Sequence, residues 1–340
     1  MKAFRLHHWN EGLTLEEVSR PSPGEAEVLL EVIACGVGQT VLNCIRGDLG
    51  RDPANLPRTP GHELVGTVVE VGRGVDGGRT GETVAAYFYL FCGTCPRCLA
   101  GTEDLCEKLA GYLGVDRDGG YAELVTIPAR NAIRLPDGID PVLATAIPDA
   151  IATPVHVARR ALIRPRDRVA VVGAAGGVGI HMVQVAQAYG ADVAGLDVGS
   201  DKLARLESTL GVAAVDSSDF SRIRLPWSGT PGPDVVIDFL GSPASLGWAL
   251  GALGNAGRLV VLTTFREVEV PVSPRQLVLR ELSVLGSRYA TRYEVDLAAR
   301  LVLTGRVKPI VGRRESPDSV EAIHDDLRTG RLLGRGALVW

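Results

Sequence analysis

A chain of 340 residues is long enough for about two domains, each with a core of its own. With 46% hydrophobic and 22% charged residues it has a globular composition, and a formal charge of −4 with no lysine or arginine block leaves no footprint for nucleic acid. The opening MKAFRLHHWNEG has no apolar signal core and nowhere do about eighteen apolar residues run together, which predicts a cytoplasmic protein with no membrane partner.

Residues 1 to about 130 read as short strands, Leu13–Val18, Val28–Ala34, Glu63–Val71 and Thr83–Phe88, separated by proline and glycine turns. That rhythm predicts an irregular, barrel-like β domain. Within it Cys92, Cys95, Cys98 and Cys106 form C-x2-C-x2-C-x7-C. Four thiolates so close in sequence wrap one Zn²⁺ tetrahedrally and leave no position for water, so such a site stabilises a loop and performs no chemistry. Two disulfides, four loose thiols or an iron centre are the other readings of the cluster. Crowding of four of the six cysteines into one loop favours a metal.

Helical character is expected from Pro141 through Ala161, bridging into Arg168–Lys202. There a buried-strand run, Val169–Val172, meets a glycine cluster, Gly173, Gly176, Gly177 and Gly179, with Val178 inside it as a further cofactor-site candidate. A helix then runs to Gly190, and a second strand, Asp192–Leu196, ends in Asp197. Glycines let the chain turn sharply and approach a pyrophosphate, while the helix behind offers N–H groups to the anion. An acid at the tip of the second strand accepts hydrogen bonds from ribose hydroxyls and repels a 2′-phosphate, so NAD is expected over NADP. The strand–turn–helix context separates this pattern from an ordinary glycine loop.

Ser200–Leu210 reads as a helix with a serine cap and Gly211 beyond it. Strands at Val212–Val215, Asp234–Asp238, Arg258–Leu262 and Leu282–Leu285, with a helix over 244–253, predict a doubly wound parallel sheet. From Gly286 the chain returns to mixed structure, with a helix at Glu294–Leu303 and a last strand at Ala337–Trp340. The expected domains are residues 1–150, carrying the cysteine loop, a nucleotide domain over 151–285, and a return to the first domain over 286–340.

These motifs together resemble the zinc-containing medium-chain alcohol dehydrogenase family across essentially the whole chain. Gly173-Ala-Ala-Gly-Gly-Val-Gly179 is similar to its nucleotide signature, Asp197 with Lys202 to its adenosine-ribose pair, and the cysteine loop to its structural-zinc site. Gly61-His62-Glu63 resembles the motif whose histidine binds a catalytic zinc, with the glutamate just behind it. The resemblance also implies that Arg335 contacts the cofactor's phosphates, that Thr153 lies beside the nicotinamide, and that Phe88 is an aromatic wall of the substrate pocket. It implies a GroES-like β domain plus a Rossmann domain, NAD and one structural zinc as cofactors, a small-molecule substrate, and a homodimer or homotetramer.

The departure is at the reacting centre. The family's first zinc motif usually reads G-[VI]-C-[HR]-[TS]-D, whereas this chain has Gly36-Val37-Gly38-Gln39-Thr40-Val41-Leu42-Asn43. The ligand cysteine is Gly38, the cation after it is Gln39, the supporting aspartate is Val41, and the relay histidine of some members is Asn43. His62 remains, and Asp149 falls where the third ligand is cysteine or aspartate. One imidazole and one carboxylate are too few for a tight catalytic zinc. Cys35 and Cys44 are expected to be small buried side chains, the remaining histidines surface or packing residues, and Arg288, Tyr289 and Arg292 pocket or interface residues.

Without that ion, the oxygen beside the travelling hydride must be held by Thr40, Gln39, Asn43 or His62. One reading is an alcohol dehydrogenase or ketone reductase with a Thr40–His62 proton path, Asp149 and Glu63 holding the histidine. A second is reduction of a carbon–carbon double bond conjugated to a carbonyl. A third is a catalytically silent NAD-binding sensor or partner subunit.

Overall fold

The computed structural model describes residues 1–227, 231–264 and 268–340. It forms two compact units: Met1–Ala152 with Ala290–Thr304 and Pro309–Trp340, and Thr153–Tyr289 with Gly305–Lys308. In chain order the strands are β1 (Lys2–Arg5), β2 (Thr14–Glu17), β3 (Glu27–Val37), β4 (Glu63–Val71), β5 (Thr83–Ala86), β6 (Leu124–Pro128) and β7 (Ala132–Arg134). There follow β8 (Arg168–Val172), β9 (Asp192–Asp197), β10 (Ala213–Asp216), β11 (Val235–Asp238), β12 (Arg258–Val261), β13 (Ser283–Gly286), β14 (Val311–Glu315) and β15 (Arg335–Val339).

The first unit is a curled sheet in the order β14-β15-β3-β4-β5-β7, with β6 also on β3, plus the β1–β2 pair. β3 is its spine. Val28, Leu30 and Val32 alternate into a core with Leu64, Val68, Val84 and Ile127, the period-two pattern that buries one face of a strand. Register breaks at Leu29/Leu30 and Val32/Ala34 bend β3 against β4, as bulges do where a sheet closes on itself. At the far end of β3, Gly36 lies opposite Glu63 of β4 and Val37 opposite Gly336 of β15. One step outward on that antiparallel ladder, Gly38 and Arg335 come face to face.

The second unit is a parallel sheet in the order β10-β9-β8-β11-β12-β13. Its inner strands read as continuous apolar runs because helices cover both faces. Ala170, Val172, Val236 and Leu259 pack with Leu246, Ala249 and Leu250 of the helix Pro243–Ala252. Among the described residues no helix is long and apolar enough to cross a membrane.

Several expected boundaries move. β3 runs on to Val37, and β5 stops at Ala86 rather than Phe88. β1, β6, β7 and β14, and the helices Gln39–Arg46 and Val320–Arg328, were not anticipated. The helical stretch 141–161 is broken into Pro141–Ala144, a π-helical turn Ile147–Ile151, and Ala152–Arg160. The helix Ser200–Leu210 is capped by Gly199 at φ 91° and not by Ser200, which is already inside it and makes no side-chain cap bond. Only a glycine takes that positive φ without strain.

Candidate active site and metal centre

The glycine turn leaves β8 at Gly173, whose φ is 81°, a conformation that other L residues rarely adopt. A Cβ on Gly179 would come within 2.0 Å of the Gly173 carbonyl oxygen, so only glycine lets the helix Gly179–Ala188 start this close to the strand. Asp197 at the end of β9 closes the turn from the other side. Its Oδ2 accepts from the Ala175 N–H at 2.8 Å and its Oδ1 from the Val198 N–H at 2.8 Å. His181 Nδ1 donates to the Gly177 carbonyl at 2.8 Å, which fixes the proton on that nitrogen. Gly176 and Gly177 lie in this turn, with Val178 as the N-cap of the helix. Lys202 sits half-buried in the first turn of the next helix. The sharp turn, the helix start and the clamped acid fit a dinucleotide's pyrophosphate and ribose. Thr153 is buried in the first turn of the helix Ala152–Arg160.

Cys92, Cys95, Cys98 and Cys106 converge as the spacing predicts. Sγ separations are 3.8 Å for Cys92–Cys98, 3.4 Å for Cys95–Cys98 and 4.0 Å for Cys95–Cys106, against about 3.8 Å between sulfurs at tetrahedral Zn–S bonds of about 2.3 Å. The Thr94 N–H and hydroxyl donate to Cys92 Sγ and hold that thiol down to about 5. Backbone N–H groups of Cys92 and Cys95 donate to the sulfurs of Cys106 and Cys92. Donors aimed at sulfur stabilise the thiolates that zinc requires, so these residues fit a closed structural zinc.

The reacting centre gathers on the β3–β4–β15 ladder and the π-turn. His62 and Glu63 are 2% and 0% exposed, and Arg335 is 5% exposed. His62 Nε2 is 3.3 Å from Asp149 Oδ2. Arg335 Nε donates to Glu63 Oε1 at 3.1 Å, and its NH2 reaches Glu63 Oε1 at 3.0 Å and Asp149 Oδ2 at 3.2 Å. Burial pushes the Glu63 carboxyl up, against the pull of the Arg335 guanidinium. The Phe88 ring meets the His62 ring edge-on, with centroids 4.7 Å apart at 73°. A Cβ added to Gly36 would lie 2.8 Å from Glu63 Oε2, so a small residue there makes room for the buried carboxylate.

Sequence reasoning placed His62, Glu63, Asp149 and Phe88 in one group, and the structure brings them together. It did not foresee Arg335 bonded to both carboxylates. Thr40 lies half-buried in the first turn of the helix Gln39–Arg46, and among the described residues no hydrogen bond joins it to His62. Gln39 donates to Asn43 Oδ1 at 3.1 Å, and Asn43 Oδ1 also accepts from Arg46. Cys35 and Cys44 are buried, with their sulfurs on the Gly36 and Gly114 carbonyls.

His62, Glu63 and Asp149 each offer an atom within 4.8 Å of the others, yet two of the three are already bonded to a cation. A divalent ion on these donors would sit against the guanidinium that already bridges the two carboxylates. With Arg335 so placed, the residues do not fit a catalytic zinc.

A glycine turn closed by an acid on one unit, and a four-thiol loop with a largely buried His–Asp–Arg–Glu cluster on the other, define an oxidoreductase of the two-domain dinucleotide type. The profile of the alcohol dehydrogenase GroES-like domain matches residues 24–137, and that of the zinc-binding dehydrogenases matches residues 177–304. An alcohol dehydrogenase of Geobacillus stearothermophilus is 33% identical over 338 residues, 98% of each chain. An acryloyl-coenzyme A reductase of Metallosphaera sedula is 29% identical over 342 residues, 98% of this chain and 99% of that one. The cobalt- and zinc-bound thermostable alcohol dehydrogenase of Pyrobaculum aerophilum superposes with a TM-score of 0.88 at 32% identity, covering 100% of this chain and 99% of that one. The chain belongs to the zinc-type medium-chain dehydrogenase/reductase family and is an alcohol dehydrogenase-like oxidoreductase.

Proposed function

We propose that the protein is an NAD(H)-dependent oxidoreductase that passes hydride to or from a small alcohol or carbonyl compound, with one structural zinc and no catalytic one. The observation that carries this reading is Gly38 standing where a ligand side chain is needed, with Arg335 bonded to the two remaining carboxylates. The nicotinamide of a dinucleotide held by the glycine turn and Asp197 would supply or accept the hydride. Asp149 orients the His62 imidazole through Nε2, and the Phe88 ring packs edge-on against that imidazole. His62 and Thr40 are the groups that would carry a proton to or from the substrate oxygen.

Reduction of a double bond conjugated to a carbonyl is the second reading. It is supported by the similarity to an acryloyl-coenzyme A reductase and by the lesser need for a Lewis acid when hydride adds at a β carbon. Two measurements test the proposal: zinc content per subunit after exhaustive dialysis, and NADH oxidation across ketones and conjugated enones. One zinc with turnover of either class is expected. Two zincs would restore metal-assisted catalysis, and tight NADH binding with no turnover at all would make the protein a sensor.

A further inference from the structure

The space at Gly38 is not empty. A Cβ built there would lie 2.3 Å from Arg335 NH1 and 2.7 Å from its Cζ. Gly38 itself has φ −137° and ψ −177°, an extended backbone open to any residue, so the glycine is not required by its conformation. What it supplies is room for the guanidinium.

We infer that the Arg335 guanidinium occupies the cation position of this centre, and that Gly38 is the residue that admits it. The inference rests on the proposed zinc-free reading and says what replaces the ion. Three observations bear it. The ladder puts Arg335 opposite position 38. The guanidinium bonds Glu63 and Asp149 together, and Asp149 in turn faces His62 Nε2. Glu63 and Arg335 are buried and Asp149 is half-buried beside them, and carboxylates so enclosed would carry a large desolvation penalty without a cation. A planar, permanently charged fork answers both carboxylates at fixed geometry. Arg335 is therefore a positioning residue: it sets Asp149, which sets His62, and it excludes divalent ions from the donors it covers.

The test is Co²⁺ titration of protein holding its structural zinc, followed by visible absorption and elemental analysis. The proteins compared are the wild type, Gly38→Cys, Arg335→Ala and the double variant. The wild type and Gly38→Cys should take up no second ion, and Gly38→Cys should unfold at a lower temperature. Arg335→Ala should bind Co²⁺ as a second ion, with an affinity at least about 10–100-fold above the upper limit the titration sets for the wild type, the range by which groups around a metal's ligands shift its affinity. The double variant should bind more tightly still, with a tetrahedral cobalt spectrum and a thiolate-to-cobalt band. Retention of the structural zinc and of the circular dichroism spectrum checks the fold, and Arg335→Gln replaces Arg335→Ala if the latter does not fold.

If Gly38→Cys alone binds the second ion as tightly as the double variant, or if removing the guanidinium gains no affinity, the inference falls while the zinc-free reading stands. A wild-type protein that carries two zincs from purification overturns both.

Discussion

Replacing Asp197 by alanine separates two roles that one carboxylate combines. Its oxygens accept from the Ala175 and Val198 N–H groups, and removing them leaves those donors without acceptors. The two losses are unequal. Val198 is 47% exposed, so water can take over its N–H, whereas Ala175 is 2% exposed and its donor stays orphaned. One buried unsatisfied N–H costs about 1–3 kcal/mol, and that is the expected loss of stability in the cofactor-free protein. Asparagine should recover most of it, because its Oδ1 can still accept from the buried Ala175 N–H while its NH₂ faces the exposed Val198 side. Urea unfolding without cofactor reads the stability term, and NADH and NADPH titrations by fluorescence read the binding term. NADH affinity should fall about tenfold or more, and the preference over NADPH should narrow as the repelling charge disappears. If the cofactor-free protein keeps its full stability while NADH binding is lost, the carboxylate serves the ligand alone and the clamp argument is wrong.

Cys95→Ser should lower zinc from one to none per subunit and open the segment 92–106 to proteolysis; unchanged zinc content would reject the four-thiolate site. His62→Ala and Thr40→Ala should each lower kcat about tenfold or more with the fold intact if both carry protons, and an unchanged rate removes that residue from the proton path. Acid stability has an identifiable contributor in Asp234. Burial alone would raise its carboxyl, but the paired bonds from Arg168 Nε and NH2, both 3.0 Å, and from the Arg168 N–H hold it below the usual carboxylate range. A folded pKa below the unfolded value of about 4 gives stability that is present above that pH and is lost as pH falls through the lower folded value. Asp234→Asn should therefore flatten the acid limb of the stability curve, and an acid limb as steep as the wild type's would refute the assignment.

The nucleotide turn and the cysteine loop were legible because each is local: their residues are neighbours in sequence and the chemistry follows from spacing. The same holds for the alternating apolar pattern of β3 and the continuous runs of β8 and β11. The reacting centre is a different case. Positions 38, 62, 149 and 335 meet only through the register of β3 with β4 and β15 and through a π-turn, none of which leaves a periodic trace. Gly38 could be read as a lost donor, but nothing in its neighbourhood said that a side chain some three hundred residues later would fill the gap. The missed helix Gln39–Arg46 has the same origin, since its first turn carries polar residues and Gly38 as its N-cap offers no side-chain signal. Ser200 misled because a serine before an apolar stretch fits a cap, while Gly199 beside it has the conformation that ends the preceding loop.

The π-turn at Ile147–Ile151 makes the length of the chain at this point a chemical variable. One surplus residue is looped into the helix there, and the aspartate's bearing depends on it. Deleting a single residue from the bulge would restore ordinary helical spacing while swinging the carboxylate by about 100°, the rotation per residue of an α-helix. Net charge and every other named side chain would be unchanged, yet the imidazole and the guanidinium would lose the anion they share. A one-codon deletion in this turn could therefore silence the enzyme as thoroughly as mutating the acid itself.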